Sequence, residues 1–158
     1  MVSAPLSTHR QEADSKARLR LWIRLLRASR LIEGVARERL KTQFNATLPR
    51  FDVMAALYRK PGGMLMSEIS RFLMVSNGNV TGIVDRLVSD GFVARSQRNG
   101  DRRTSFISLT RKGHAAFAEM AAAHESWVDE LLGGVSVRDA EQMSAKLRSF
   151  RSDWEGDA

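Results

Sequence analysis

Two short stretches carry side chains suited to holding phosphate or reading a base. FVARSQRNGDRR, residues 92–103, holds four arginines and one aspartate, and Arg98, Arg102 and Arg103 crowd the Asn99-Gly100 turn. A guanidinium forks onto phosphate with two parallel hydrogen bonds. A tip this basic calls for an anionic partner, and a narrow minor groove attracts inserted arginine. Asp101 can hold one of these arginines in a fixed pose. The second stretch is VSNGNVTGIVDRL, residues 75–87. Unrolled at about 100° per residue, Val80, Val84 and Leu87 share one arc of a helix. Gly78, Thr81, Gly82 and Asp85 lie opposite, with Ser89 just beyond the stretch and Asn79 and Arg86 at the flanks. Asn, Ser and Thr can read base edges, and small residues let a helix approach closely. A capped surface helix and a solvated basic turn have these compositions too; occurring side by side, they favour double-stranded nucleic acid.

Other chemistries find little support. His9, His114 and His124 stand far apart, and the chain has no cysteine, no HExxH, no Gly-x-Ser-x-Gly and no phosphate loop. Neither an enzyme nor a metal site is expected. The 158 residues carry a net charge of +7, and the basic excess is concentrated early. Residues 16–60 hold 12 basic and 3 acidic side chains, whereas residues 114–158 hold 4 and 9. That balance points to a polyanion. No apolar run approaches the ~18 residues of a membrane span. The N-terminus MVSAPLSTHRQEADSKAR lacks an apolar signal core, so a cytoplasmic, nucleoid-associated protein without membrane contact is expected.

The elements that must position these residues follow from periodicity. Residues 1–13 are polar and expected to fray. A long helix is predicted from Asp14 to Phe44, with Leu19, Trp22, Ile23 and Leu26 as its stripe. Pro49 marks a boundary before a short helix over Phe51–Arg59. Pro61-Gly62-Gly63 breaks the chain, Ser67 is placed to cap a helix to about Met74, and Ser76 to cap the next. Asp90-Gly91 stops that helix. Two extended runs, Phe92–Gln97 and Thr104–Leu109, flank Asn99-Gly100 as a hairpin. An Ala-rich helix then runs to about Leu132, and Ser136 caps a last helix ending near Trp154. This predicts a mainly α fold with a small β-hairpin, in the order of a winged helix-turn-helix flanked by outer helices.

The run GNVTGIVDRLVSDGFVARSQRNGDRRTSFISLTRKG resembles the core of the MarR family of bacterial transcription regulators. The DRL…DGFV junction, the DRR at 101–103 and the LTRKG at 109–113 carry the likeness. It implies a homodimer, with recognition helices in adjacent major grooves and wing tips in the minor groove. It divides the chain into a winged helix-turn-helix over 49–113 and a helical dimerisation region over 14–48 and 114–155. By this match Ser76, Asn77, Asn79, Thr81 and Arg86 occupy recognition-helix positions. Asp101 steadies the wing, and Arg103 enters the minor groove with Arg102 nearby; Arg98, from the basic turn, is a further DNA-binding candidate. The Gly78/Gly82 pair departs from the bulkier residues common at those positions. A twofold dimer predicts a near-palindromic operator with half-sites ~34 Å apart. A non-specific architectural nucleic-acid binder is the alternative that the charge permits.

The resemblance also implies a pocket between the dimerisation and DNA-binding parts, whose ligand releases DNA. LPRFDVMAALYRKPGG and MVSNGNVTGIVDRL resemble most the branch controlling aromatic-acid or hydroxycinnamoyl-CoA catabolism. The expected effector is an aromatic carboxylate or an aromatic acyl-CoA, with no cofactor. Arg30, Glu33 and Arg37 continue the apolar stripe of the first helix. They read either as a self-neutralised ion cluster or as one arginine facing a pocket. Trp22, Met54 and His114 are further candidates for its lining.

Overall fold

The computed structural model describes residues 6–97 and 105–149. Its elements are α1 (Leu6–Phe44), α2 (Leu48–Tyr58), β1 (Met64–Leu65), α3 (Met66–Leu73), α4 (Asn77–Ser89), β2 (Val93–Gln97), β3 (Ser105–Leu109), α5 (Arg111–Leu132) and α6 (Val137–Arg148). The fold is mainly helical with one small antiparallel sheet, as the sequence predicts. Contacts divide the chain into two compact units, Met1–His124 and Glu125–Ala158, so that the division falls within α5.

In the first unit, α2 to β3 build the winged helix-turn-helix. Its core comprises Val53 and Leu57 of α2, Ile69 of α3, Val80, Val84 and Leu87 of α4, and Ile107 of β3. Leu40, near the C-terminal end of α1, is equally buried. Burying each such side chain is worth about 1.5–3 kcal/mol. In the second unit, Ser136 caps α6 as expected, accepting from the Asp139 backbone N–H at 3.2 Å. No residue of α6 is buried, and Val137, Met143 and Leu147 stay exposed.

Four boundaries differ from the sequence reading. Helix α1 starts at Leu6, well before Asp14. Residues 11–20 are exposed and bury no apolar stripe; the Lys16–Glu12 pair at 2.7 Å and good helix formers sustain the helix there. Pro49 does not precede α2 but sits in its first turn, where a missing N–H costs nothing. Ser67 is not a cap. Leu65 occupies that position, and the Glu68 carboxylate accepts its N–H at 2.8 Å. The cap moved because Met64–Leu65 form a strand that leads directly into α3. That strand is the fourth difference: β1 pairs with β3 through Met64↔Ile107 and Leu65↔Phe106, giving the sheet order β1-β3-β2. The predicted hairpin is present, with β2 and β3 paired from Val93↔Leu109 to Gln97↔Ser105.

Candidate nucleic-acid interface

Helix α4 divides its residues as the periodicity predicts. Val80, Val84 and Leu87 are each 0 % exposed, while Gly78, Asn79, Thr81, Gly82, Asp85 and Arg86 face outward. A Cβ added at Gly78 or Gly82 would meet no atom within 4 Å. Neither glycine is required by packing in the described structure. The turn before α4 is tight: Met74 takes a left-handed conformation (φ 54°), and the Ser70 hydroxyl donates to the Val75 carbonyl at 2.6 Å. Ser76 is the N-cap residue, yet its side chain makes no capping hydrogen bond and is exposed. Asn77 opens the helix.

The far end of α4 is fastened to the wing and to α5. Gly91 has φ 76°, as the Asp90-Gly91 stop requires. The Thr110 hydroxyl donates to the Gly91 carbonyl at 2.7 Å and accepts the Gly113 N–H at 3.0 Å. The Lys112 ammonium donates to the Asp90 carbonyl at 2.8 Å and sits 4.7 Å from the Phe92 ring centroid. Gly113 packs directly on the Phe92 carbonyl. The LTRKG run is thus a clasp joining the end of α4, the base of the β2–β3 hairpin and α5.

Two ion pairs set the local charge. Arg95 of β2 pairs with Asp85 of α4, and Arg50 of α2 pairs with Asp90. Asp85 would otherwise oppose a polyanion on the exposed face of α4. Periodicity did not single out either pair, because each joins elements separated in sequence. The wing residues Arg98, Asp101, Arg102 and Arg103 lie outside the described residues, as does Trp154, the expected end of the last helix.

The five residues suggested for a ligand pocket are not brought together. Arg37 pairs with Glu33 at 3.0 Å and lines a cavity of about 930 Å³ between α1, α2 and α4. Met54 lines a separate cavity of about 260 Å³. His114 belongs to an aromatic ladder between α2 and α5, with Tyr58 at 5.4 Å. Trp22 and Arg30 are exposed on α1.

The same ladder ends at His124, 4.9 Å from the Phe51 ring. Burial lowers the pKa of His124 below its ordinary 6.5. The folded state therefore resists a proton that the unfolded chain accepts. Stability is complete above about pH 6.5 and declines as pH falls toward the folded pKa. His124→Phe is expected to remove this part of the slope, measured as the difference between the two proteins' urea midpoints at pH 7.5 and 5.5. Equal slopes for the two proteins would exclude His124 as its source.

Comparison with known proteins agrees with this architecture. The sequence profile of the MarR family matches residues 46–105. The chain is 30 % identical over 132 residues to the transcriptional activatory protein BadR of Rhodopseudomonas palustris, covering 80 % of this chain and 75 % of that one. A MarR family transcriptional regulator from Silicibacter pomeroyi superposes with a TM-score of 0.71 at 36 % identity, covering 85 % of this chain and 93 % of its own. A mutant MarR from E. coli complexed with operator DNA shares the fold, with a TM-score of 0.72 at 22 % identity over 84 % of this chain and 94 % of that one. With its buried and exposed α4 faces, three-stranded wing sheet and LTRKG clasp, the chain belongs to the MarR family of DNA-binding transcriptional regulators, which are not enzymes.

Proposed function

We propose that this regulator is a homodimeric repressor of a near-palindromic operator, released by a small anionic ligand. The observation carrying the reading is the outward face of α4, polar and exposed, with no atom within 4 Å of a Cβ at Gly78 or Gly82. Ser76, Asn77, Asn79, Thr81 and Arg86 read bases and phosphates in the major groove. Arg98, Arg102 and Arg103, steadied by Asp101, contact the minor groove. Residues 49–113 are the DNA-binding part. Residues 14–48 and 114–155 form the dimer. Support for the dimer comes from apolar side chains a single chain leaves uncovered: Leu19, Trp22 and Leu31 on α1, and Val137, Met143 and Leu147 on α6. A cytoplasmic location, with binding to nucleoid DNA, follows from the reading. Among the described residues no helix is long and apolar enough to cross a membrane.

The wing supplies the direct test. Arg103→Ala is expected to weaken binding to the DNA upstream of its own gene about tenfold and to lower the slope of log K against log salt by about 1. An unchanged affinity with an unchanged slope removes the wing from the interface. Scrambled DNA separates this reading from an architectural binder, for which the specificity ratio stays below about tenfold. The R. palustris relative is named an activatory protein, so likeness in sequence alone does not fix the sign of control. Run-off transcription from the protein's own promoter reads that sign.

A further inference from the structure

A separate cleft of about 300 Å³ opens between the start of α2 and α4. Gly78, Asn79, Gly82 and Arg86 lie on its α4 wall, at helical spacings that keep them on one face over about two turns. Thr47 and Arg50 form the opposite wall. The ionisable side chains of this lining are both arginines, whereas the cavity of about 930 Å³ mixes Glu33 and Asp52 with its cations. Among the described residues, no hydrogen-bond or ion partner reaches the Arg86 side chain. The Arg50 side chain, 21 % exposed, is held by Asp90. A guanidinium has five N–H donors, so this pair leaves several of them unused. The Thr47 hydroxyl makes no capping bond to α2 and has no other partner among the described residues. Across from Thr47 and Arg50 the two glycines carry no side chain, and a Cβ at either would meet no atom within 4 Å. The cleft is therefore cationic, rich in unused donors and open down to the backbone of α4.

We propose that this cleft seats one phosphodiester of the DNA backbone once α4 lies fully in the major groove. Arg86 and Arg50 donate to its non-bridging oxygens, a geometry that guanidinium groups match. The Thr47 hydroxyl adds a neutral hydrogen bond, and Asp90 holds Arg50 ready. The occupant arrives with DNA rather than as a free anion, because Asn79, Gly82 and Arg86 belong both to the cleft and to the outward face of α4. Whatever fills the cleft must accompany the groove that this face enters. Phosphate contacts fix register and carry no base information of their own. Here the contact is recessed, since Arg50 is mostly covered and the α4 wall is glycine, so the backbone reaches it only on close approach. Non-specific binding is electrostatic and does not require that approach. The contact therefore adds to specificity without touching a base. The inference rests on the operator reading above and brings Thr47 and Arg50, outside both recognition helix and wing, into the interface.

Binding of the full chain to the DNA upstream of its own gene and to a scrambled duplex, each over a range of salt, tests this. Arg50→Met is expected to weaken binding to the upstream DNA about tenfold and to lower its slope of log K against log salt by about 1, with scrambled DNA bound within about twofold of the wild type. Thr47→Val keeps the side chain's shape and removes the hydroxyl. It should weaken binding to the upstream DNA about threefold with the slope unchanged. Asp90→Asn removes the ion pair but no cation from the cleft, and should leave the slope as it is. The proposal is overturned if the wild-type slope survives Arg50→Met, if scrambled DNA loses as much affinity as the upstream DNA, or if Asp90→Asn lowers the slope as Arg50→Met does, which would make Arg50 a structural residue. Thr47→Val, on an exposed residue, decides alone should Arg50→Met fail to fold: wild-type affinity for the upstream DNA then overturns the proposal. A wild type that binds both DNAs alike refutes the operator reading. One that discriminates between them with no dependence on Arg50 or Thr47 refutes the cleft assignment only.

Discussion

Replacing Gly113 with alanine is expected to cost about 3 kcal/mol of stability or more and to abolish DNA binding at temperatures the wild type tolerates. A Cβ built there falls inside contact distance of the Phe92 carbonyl oxygen, 2.9 Å from its carbon and 3.2 Å from Leu109 Cδ2. The obstruction is backbone, so no rotamer change relieves it. The Phe92 carbonyl is itself held, accepting the Thr110 N–H at 3.0 Å. Relief requires α5 to lift from the wing base, which breaks the Thr110 and Lys112 contacts to Gly91 and Asp90. Intrinsic helix propensity pulls the other way, because alanine is about 1 kcal/mol better than glycine in a helix interior. The sign of the effect therefore discriminates. Urea denaturation showing Gly113→Ala as stable as the wild type, or more so, would mean that α5 and the wing base are not in this contact.

The same glycine shows what a sequence conceals. LTRKG is recognisable as a string, but its purpose depends on where the Phe92 carbonyl lies in space. Periodicity located the faces of α4 correctly because burial there follows a single helix: Val80, Val84 and Leu87 need only one neighbour layer. It found the Asp90-Gly91 stop because a left-handed residue leaves a local mark. Strand β1 left none: two residues, Met64 and Leu65, become a strand only because β3 offers an edge. The cap at α3 was misplaced for the same reason. The cavity between α1, α2 and α4 was legible only at Glu33 and Arg37, four apart on α1, since Asp52 and Arg86 arrive from α2 and α4 and share no spacing with them. Met54 and His114 were plausible as pocket residues by type, yet each is used in packing α2, one in the core and the other in the aromatic ladder.

The two glycines of α4 present the opposite case to Gly113, and Gly82 gives the larger functional effect. Nothing lies within 4 Å of a Cβ at Gly82, so Gly82→Ala should stabilise the free protein by about 1 kcal/mol. Gly82→Leu should also keep the fold, since leucine has high helix propensity and its side chain would project beside Asn79 and Arg86 into open space bordered by Thr47 and Arg50. On DNA the two variants part. A leucine there holds the helix away from the groove floor and strains or removes base contacts worth about 1–3 kcal/mol each. Losing one or two lowers affinity for the specific site by on the order of 100-fold. Binding to scrambled DNA, which depends on phosphate charge, should hardly change, so the specificity ratio collapses. If Gly82→Leu binds the specific site within threefold of the wild type, this face of α4 does not enter the groove closely. Gly82→Ala then resolves why glycine is there. Higher stability with retained affinity means that glycine leaves the helix soft until DNA orders it. Higher stability with lost affinity means that a single methyl is already too much, and that the glycine exists to let the backbone approach a base step.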